Sequence, residues 1–306
     1  MWFKNLLIYR LPAGWNIPLT ELETRLERRT LQPCGPFEML SKGWIAPADS
    51  GRLVHHVNGQ HLLALGVNQK LLPGSIIRQE ALTRAADLAQ SQGFPVGRRQ
   101  MRELRMRVTE ELRARALTRR RVTRAWIDPA GGWCIVDAAS PGKGEELIET
   151  LRDSLDTFAV QFVETRRSPH SSMAAWLARG EAPGRFSIEQ DLELQSADPA
   201  KPIIRYTRHS LEGADVRGHL AAGKFPTQLG LTWNGRVSFI LTEKLQVRRL
   251  QFLEMSDDAT QGSEPGEAAE RFDIDFTVMT GELSKLLTDL LQVLGGEQAA
   301  EQAAAA

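Results

Sequence analysis

The residues best suited to chemistry in this sequence are arginines, and they are concentrated in one short stretch. Between Arg98 and Arg124 there are eleven arginines and three acidic residues, whereas the whole chain has 38 basic and 38 acidic residues. Residues 254–301 show the opposite bias, with twelve acids and two bases. A guanidinium group stays charged and donates two parallel hydrogen bonds, which suits phosphate oxygens. This segregation of charge indicates a polyanionic partner such as nucleic acid, although a hydrated helix surface would show the same pattern.

Two groups of basic residues are candidates for phosphate contacts, one in the arginine-rich stretch and a sparser one near the middle of the second half. The sequence shows no zinc-finger, RNP-like or persuasive helix-turn-helix pattern, which favours contact with the backbone of a nucleic acid over reading of its bases. The candidates are Arg98, Arg99, Arg102, Arg105, Arg113, Arg119, Arg120 and Arg121 in the first group, and Arg205, Arg208, His209 and Lys224 in the second.

Histidines and a glycine-lysine-glycine motif could support metal or nucleotide chemistry, but each has a simpler interpretation. His55 and His56 are adjacent, so on a strand they point to opposite faces, and His61 lies beyond a tight turn. The sequence therefore favours the surface of a hairpin over a metal site. Gly142-Lys143-Gly144 precedes a predicted helix but lacks the spacing of a phosphate-binding loop.

Two pairs of carboxylates are candidates for a magnesium-dependent nuclease site. Asp128 and Asp137 flank a predicted strand turn, and Asp273 and Asp275 share a face of a segment with a strand-like pattern. Mg²⁺ prefers such oxygen ligands, but neither pair has the nearby lysine and further acid that would complete a site. Solvated or capping carboxylates are the favoured interpretation. The sequence therefore predicts no metal, no cofactor and no catalytic centre, and hence a protein that is not an enzyme.

The elements that would position these residues form an α+β pattern. Asn-Gly turns predict hairpins over residues 54–65 and 229–241, because these dipeptides accept the positive φ values of a tight turn. A third strand pair is predicted over residues 122–138. A short helix is predicted over residues 19–29, with Thr20 as its cap. These patterns indicate a β-rich body with hairpins.

The middle of the chain is helical, and it carries most of the arginines. From Pro73 to about Arg119 the pattern is that of two helices separated by residues 93–95. Apolar residues of the second helix recur at three- and four-residue spacing, and Arg98, Arg102, Arg105 and Arg113 fall on an adjacent face. We therefore predict a basic helical pair, residues 73–120, that projects from the body.

The remainder of the chain completes the prediction. Residues 1–296 are predicted to form a single composite domain, and the low-complexity residues 297–306 a disordered tail. An amphipathic helix over residues 282–294 has an apolar band wide enough for a core or for a partner subunit. The two cysteines, Cys34 and Cys134, form no CxxC pair, and no apolar run approaches the length of a membrane span. A reducing cytoplasm is the expected location.

Over residues 1–297 the sequence resembles the bacterial recombination-associated RdgC family. The order and spacing of many short stretches carry the resemblance. They are MWFKNLLIYRL at the start, Pro33-Cys34-Gly35, Gly43-Trp44, HVNGQ at 56–60, Leu72-Pro73, Trp126-Ile127-Asp128, VDAAS at 136–140, Ala222-Gly223-Lys224, RFDIDF at 271–276, MTGEL at 279–283 and LGGE at 294–297.

The resemblance implies a homodimer closed into a ring, with a positively charged hole through which duplex DNA passes. It further implies binding with little sequence preference and restraint of RecA, the recombinase that forms filaments on DNA. Arg208, His209 and Lys224 align with family positions linked to DNA handling, and Leu117 aligns with a position at the tip of the helical pair linked to dimer closure. We also expect dimer contacts from three leucines of the last helix, which would equally suit the core: Leu283, Leu287 and Leu290.

The predicted function is that of a sequence-independent, double-stranded DNA-binding protein, cytoplasmic and associated with the nucleoid, that restrains recombination by RecA. Two alternatives stay open at this point: a protein-binding scaffold that contacts RecA directly, and a metal-dependent nuclease. The resemblance also leaves open whether single-stranded DNA binds and whether RecA is contacted at all.

Overall fold

The structure is a computed structural model that describes residues 2–156, 158–253 and 265–298. Within these residues the chain forms two antiparallel sheets and seven helices. The strands of the first sheet are β1 (Leu7–Arg10), β2 (Leu40–Ile45), β3 (Val54–Val57), β4 (Gln60–Lys70), β5 (Thr118–Asp128), β6 (Trp133–Asp137) and β7 (Gln161–Phe162). Those of the second sheet are β8 (Phe186–Gln195), β9 (Ile203–Tyr206), β10 (Phe225–Trp233), β11 (Val237–Thr242) and β12 (Val247–Phe252). The helices are α1 (Leu19–Glu27), α2 (Gly74–Gln92), α3 (Arg98–Arg115), α4 (Pro141–Ser154), α5 (Pro169–Arg179), α6 (Ala214–Ala221) and α7 (Pro265–Val293).

The strand order confirms the predicted α+β class. The first sheet runs β2-β4-β5-β6-β1-β7, with β3 also paired to β4, and the second runs β12-β11-β10-β8-β9. Both predicted Asn-Gly hairpins are confirmed: Asn58 and Asn234 have φ values of 51° and 53°, and each is followed by a glycine with positive φ. The third predicted pair is confirmed as β5 and β6.

Alternation along the first sheet divides the buried side chains between two cores. On β4, Leu62 belongs to a core that also contains residues of the second sheet, α5 and α7. Leu63 and Leu65 point the other way, into a core covered by α1 and α4. The first sheet is therefore buried on both faces near its centre, and its exposed residues lie towards its ends.

Helix α7 begins at Pro265, well before the predicted start at Glu282, and it contacts both sheets. Phe272 and Phe276 lie edge-on to His55 of β3, and the Asp289 carboxylate accepts a hydrogen bond of 2.9 Å from the Trp233 indole. A helix that is covered on two sides needs a wide apolar band to pack against the elements that cover it. The predicted dimer contacts are therefore wrong for its three leucines, which are at most 1% exposed within the chain: Leu283, Leu287 and Leu290.

The N-terminal cap of α1 and the start of the C-terminal tail also differ from the predictions. Helix α1 begins at Leu19, so Thr20 lies inside it and is not its cap; the Thr20 carbonyl accepts a hydrogen bond from the Thr24 hydroxyl. At the C-terminus, Glu297 forms a β-bridge with Thr165 and an ion pair with Arg10, although the predicted tail begins at residue 297. Residues 299–306 of that tail lie outside the described residues.

The helical pair, α2 and α3, is inserted between β4 and β5, which pair up to Lys70 and Thr118. Its base is closed by a hydrogen bond of 2.8 Å from the Leu71 amide to the Leu117 carbonyl. The far end of the pair is the turn at residues 93–97. Leu117 therefore lies at the base of the pair, and its predicted place at the tip is wrong. No helix in the described parts of the chain is long and apolar enough to cross a membrane.

Candidate nucleic-acid interface

Three arginines form a continuous basic stripe along α3. Arg98, Arg102 and Arg105 follow one another at four- and three-residue spacing, are exposed, and line one shallow pocket near the turn of the helical pair. Within the described residues none of the three has an acidic partner. Leu104 and Val108 bury the neighbouring face of α3, so the stripe is fixed in orientation. We call Arg98, Arg102 and Arg105 the arginine stripe.

Two other arginines predicted on this helix have different surroundings. Arg99 forms an ion pair of 3.2 Å with Glu103, one turn further along the helix. Arg113 donates a hydrogen bond of 3.1 Å to the Phe37 carbonyl, so it anchors a loop to the base of the helical pair. Arg113 is therefore less available to a phosphate than the arginine stripe, whereas Arg99, whose side chain is 93% exposed, is held only by a weak surface ion pair.

Strand alternation separates the arginines that follow α3. The helix ends at Arg115, and the next arginines lie on β5, where neighbouring side chains point to opposite faces. Arg120 donates to the Asn68 side chain at 3.0 Å on one face. Arg119 and Arg121 line a cleft of about 720 Å³ on the other. The run therefore does not form the single cluster that its sequence suggests.

The cleft beside β5 contains both signs of charge. Lys42 and Lys143 line it together with Arg119 and Arg121, but Arg121 forms an ion pair of 2.6 Å with Glu146. Lys143 lies in the first turn of α4, so the glycine-lysine-glycine motif is part of the helix and does not precede it. Lys42, Arg119 and Lys143 have no acidic partner among the residues that the structure describes, but the glutamates of the cleft reduce its net positive charge.

The second basic group lies around β9 and α6. Arg205 is paired with Glu193 at 2.7 Å, which neutralises it. Arg208 is exposed, has a left-handed φ of 52° and has no acidic partner in the described residues. His209 contacts the Ser210 carbonyl at 2.8 Å, and the Lys224 amine lies 3.3 Å from a ring nitrogen of His219. Arg208 and Lys224 are thus the available cations of this group.

An exposed apolar patch surrounds the base of the helical pair. Phe37 and Leu117 are each 79% exposed, and three further large apolar residues lie beside them. The Lys70 ammonium donates to the Gly35 carbonyl at 2.6 Å, so it holds the loop that presents Phe37. Backbone hydrogen bonds join Leu71 to Leu117 and Met39 to Lys70. The base patch consists of Phe37, Met39, Leu40, Leu71 and Leu117.

The carboxylates considered for a nuclease site are separated from one another. Asp128 is buried and accepts the Gly131 amide at 2.9 Å. The partner of Asp128 on β6 is Trp133, and Asp137 lies four residues further along that strand. That spacing corresponds to roughly 13 Å along a strand. The Asp137 carboxylate accepts hydrogen bonds from the Lys4 and Asn5 amides. Burial raises the pKa of Asp137, although the two amide bonds oppose the rise.

The second carboxylate pair is on a helix, so the predicted strand-like arrangement is wrong. Asp273 and Asp275 both belong to α7, where residues two apart point in different directions. Asp273 contacts the His55 ring at 3.2 Å. In the described ranges no group of three or more histidine, cysteine, aspartate or glutamate residues is placed to hold a metal ion.

The three histidines of the first hairpin were predicted to lie on its surface, but only His56 is exposed. His55 and His56 do point to opposite faces, but the turn places His56 directly opposite His61, with 3.1 Å between their Nδ1 atoms. His61 is only 5% exposed. Burial, reinforced by the neighbouring His56, lowers the pKa of His61 from 6.5 to about 4.

We expect His61 to make stability depend on pH between about 6.5 and 4. The unfolded chain takes up a proton at His61 in this window and the folded chain does not, so stability is full above pH 6.5 and falls on acidification. The loss between pH 7 and pH 5 should be about 2 kcal/mol. Urea unfolding at both pH values measures this loss of stability, on protein treated with a chelator so that no metal ion binds the histidines. A His61→Gln variant with an unchanged pH dependence would contradict this assignment.

Comparison with known proteins shows the family. The family model described as "Putative exonuclease, RdgC" matches residues 1–297. The "Recombination-associated protein RdgC" of Dechloromonas aromatica (strain RCB) is 47% identical over 301 residues, covering 97% of this chain and 98% of the relative. The protein of the same name from Herminiimonas arsenicoxydans is 46% identical over 299 residues, covering 98% and 99%. The chain belongs to the RdgC family, as its sequence resemblance predicted.

Proposed function

We propose that this chain is a sequence-independent double-stranded DNA-binding protein that acts in recombination without catalysing a reaction. The observation that carries the proposal is the arginine stripe, with three exposed guanidinium groups on one helix face and no acidic partner in the described residues. Such groups bind phosphates of any sequence. The name of the family's relatives supports a role in recombination. Association with the nucleoid would follow from this activity.

The proposed form is a homodimer closed into a ring around DNA. A two-fold dimer uses the same patch on both subunits, so the patch must be self-complementary. The base patch is suited to this requirement, because one set of exposed apolar side chains can pack against a second copy of itself, and such clusters are typical of protein interfaces. The base patch lies at the C-terminal end of α3, the helix that carries the arginine stripe. A dimer formed through this patch would therefore carry one arginine stripe on each subunit.

Self-association should weaken when a charge is placed in the base patch. We expect Leu117→Asp to raise the dimer dissociation constant at least tenfold, about 1.4 kcal/mol, because the carboxylate would be desolvated against apolar side chains. Sedimentation velocity over a range of protein concentrations measures the change. Leu82→Asp is the matched control, since Leu82 is also exposed but lies on α2. Equal dissociation constants for all three proteins would show that Leu117 is not at the interface.

Restraint of RecA is the proposed consequence of occupying DNA. RecA-promoted strand exchange should be inhibited when this protein is added to the DNA before RecA. A variant with Arg98→Glu, Arg102→Glu and Arg105→Glu should not inhibit it. The scaffold alternative predicts association with RecA without DNA. A pull-down after nuclease treatment separates the two, because an association bridged by DNA is lost and a direct one is retained.

A nuclease is the second candidate, and the description of the family model is the observation that favours it. Incubation of supercoiled plasmid with Mg²⁺ or Mn²⁺ tests for nicking, and linear duplex with the same ions tests for degradation from the ends. Asp137→Asn is the informative variant, since Asp137 is a partly buried carboxylate with a raised pKa. Cleavage that persists in this variant would point to a contaminant or to other residues.

A further inference from the structure

We propose that His56 and His61 form a binding site for a late first-row divalent metal ion, such as Ni²⁺, Cu²⁺ or Zn²⁺. The two residues are direct partners across the β3–β4 hairpin, and their Nδ1 atoms face each other at 3.1 Å. Imidazole nitrogen is a preferred ligand of these ions. The proposal is independent of DNA binding.

The distance between the two nitrogens suits a shared ion. Metal–imidazole bonds are about 2.0–2.1 Å long. Two such bonds to nitrogens 3.1 Å apart enclose an angle of about 100° at the metal. This value lies between the angles of square-planar or octahedral coordination and that of tetrahedral coordination, so the separation of the two nitrogens suits any of these geometries.

The surroundings leave the pair open to an ion from solvent. His56 is exposed, whereas His61 is buried, so the residues packed around His61 restrict the movement of its ring. The nearby Gln60 side chain is engaged by the Trp126 indole at 2.6 Å. The protein therefore supplies two ligands and water completes the coordination. Without an ion, one Nδ1–H donates a hydrogen bond to the other nitrogen.

His55 provides a matched control, because it is adjacent in sequence but separate in space. It points to the opposite face of β3, where its ring contacts the Asp273 carboxylate and two phenylalanines of α7. It takes no part in the proposed site. A substitution at His55 therefore removes one histidine from the hairpin without removing a proposed ligand.

The test is a calorimetric titration of the full-length, chelator-stripped protein with Ni²⁺ at pH 7.5. We expect one site whose affinity falls at least tenfold in His56→Gln and in His61→Gln, and stays within twofold of the wild type in His55→Gln. His56 is exposed, so its variant should fold even if His61→Gln does not. No Ni²⁺ binding, or binding that survives His56→Gln, would show that the pair is only hydrogen-bonded and would overturn the proposal.

Discussion

Reversing the charge of the arginine stripe should weaken duplex binding about 100-fold at physiological salt. The variant carries Arg98→Glu, Arg102→Glu and Arg105→Glu. Each lost phosphate contact is worth roughly 1 kcal/mol, and 1.4 kcal/mol corresponds to a tenfold change in affinity. The loss should be the same for unrelated sequences, because phosphates carry no sequence information. Fluorescence anisotropy with labelled duplexes measures the affinity.

A charge-matched control separates local contact from total charge. Arg28, Arg166 and Arg179 are exposed and lie outside the helical pair, so their joint reversal to glutamate changes the net charge equally. This control should bind within about threefold of the wild type, since exposed charges beyond a Debye length of roughly 8 Å are screened. Equal losses in both variants would mean that the arginine stripe has no special role. Undiminished binding by the stripe variant would exclude α3 as the contact surface.

Shortening Leu287 should destabilise the fold by about 2–5 kcal/mol, the usual range for removing a buried leucine side chain. Leu287 is 1% exposed and belongs to the core shared by both sheets and α7. Urea unfolding of Leu287→Ala measures the loss. The expected result differs from that of Leu117→Asp, which should change association and leave the stability of the subunit nearly unaltered.

Ile274→Ala is the control for Leu287→Ala. Ile274 is 56% exposed on the same helix, so its shortening should change stability by no more than about 0.5 kcal/mol. Dissociation of the proposed dimer without loss of subunit stability in Leu287→Ala would contradict the assignment of Leu287 to the core. It would restore the expectation that the leucines of α7 contact a second subunit.

The hairpins could be predicted because their signals are local. Asn58-Gly59 and Asn234-Gly235 each specify a tight turn, and alternation specifies the strands beside it. The same reasoning could have found the histidine pair. A two-residue turn at Asn58-Gly59 makes Val57 and Gln60 partners, so the next pair outward is His56 and His61.

The features that sequence reasoning missed depend on tertiary contacts. Asp273 and Asp275 occupy alternating positions in the N-terminal half of α7, and this alternation is typical of a strand. The segment is nevertheless helical, because its apolar residues pack against both sheets. The width of its apolar band cannot say whether a sheet or a second subunit covers it. The separation of Arg120 from Arg119 and Arg121 follows from alternation, but only once the end of α3 is placed at Arg115.

The base patch had no signal of its own in the sequence. Phe37 and Leu117 are 80 residues apart in the chain, and the pairing of the first sheet and the Leu71–Leu117 hydrogen bond bring their segments to one end of it. The family resemblance singled out Leu117, but not its apolar neighbours. Lys70 is likewise unremarkable in sequence, yet it is buried and holds the loop before Phe37.

The salt dependence of binding to two unrelated duplexes decides whether phosphate contacts dominate recognition of DNA by this protein. Anisotropy titrations of the wild-type protein from low to physiological salt give the slope of log affinity against log salt. We predict equal affinities for both duplexes and a slope of about −2.7 or steeper, because neutralising at least three phosphates releases their counterions. Absence of binding at low salt, or a strong preference for one duplex with a shallow slope, would contradict the proposed phosphate-based recognition.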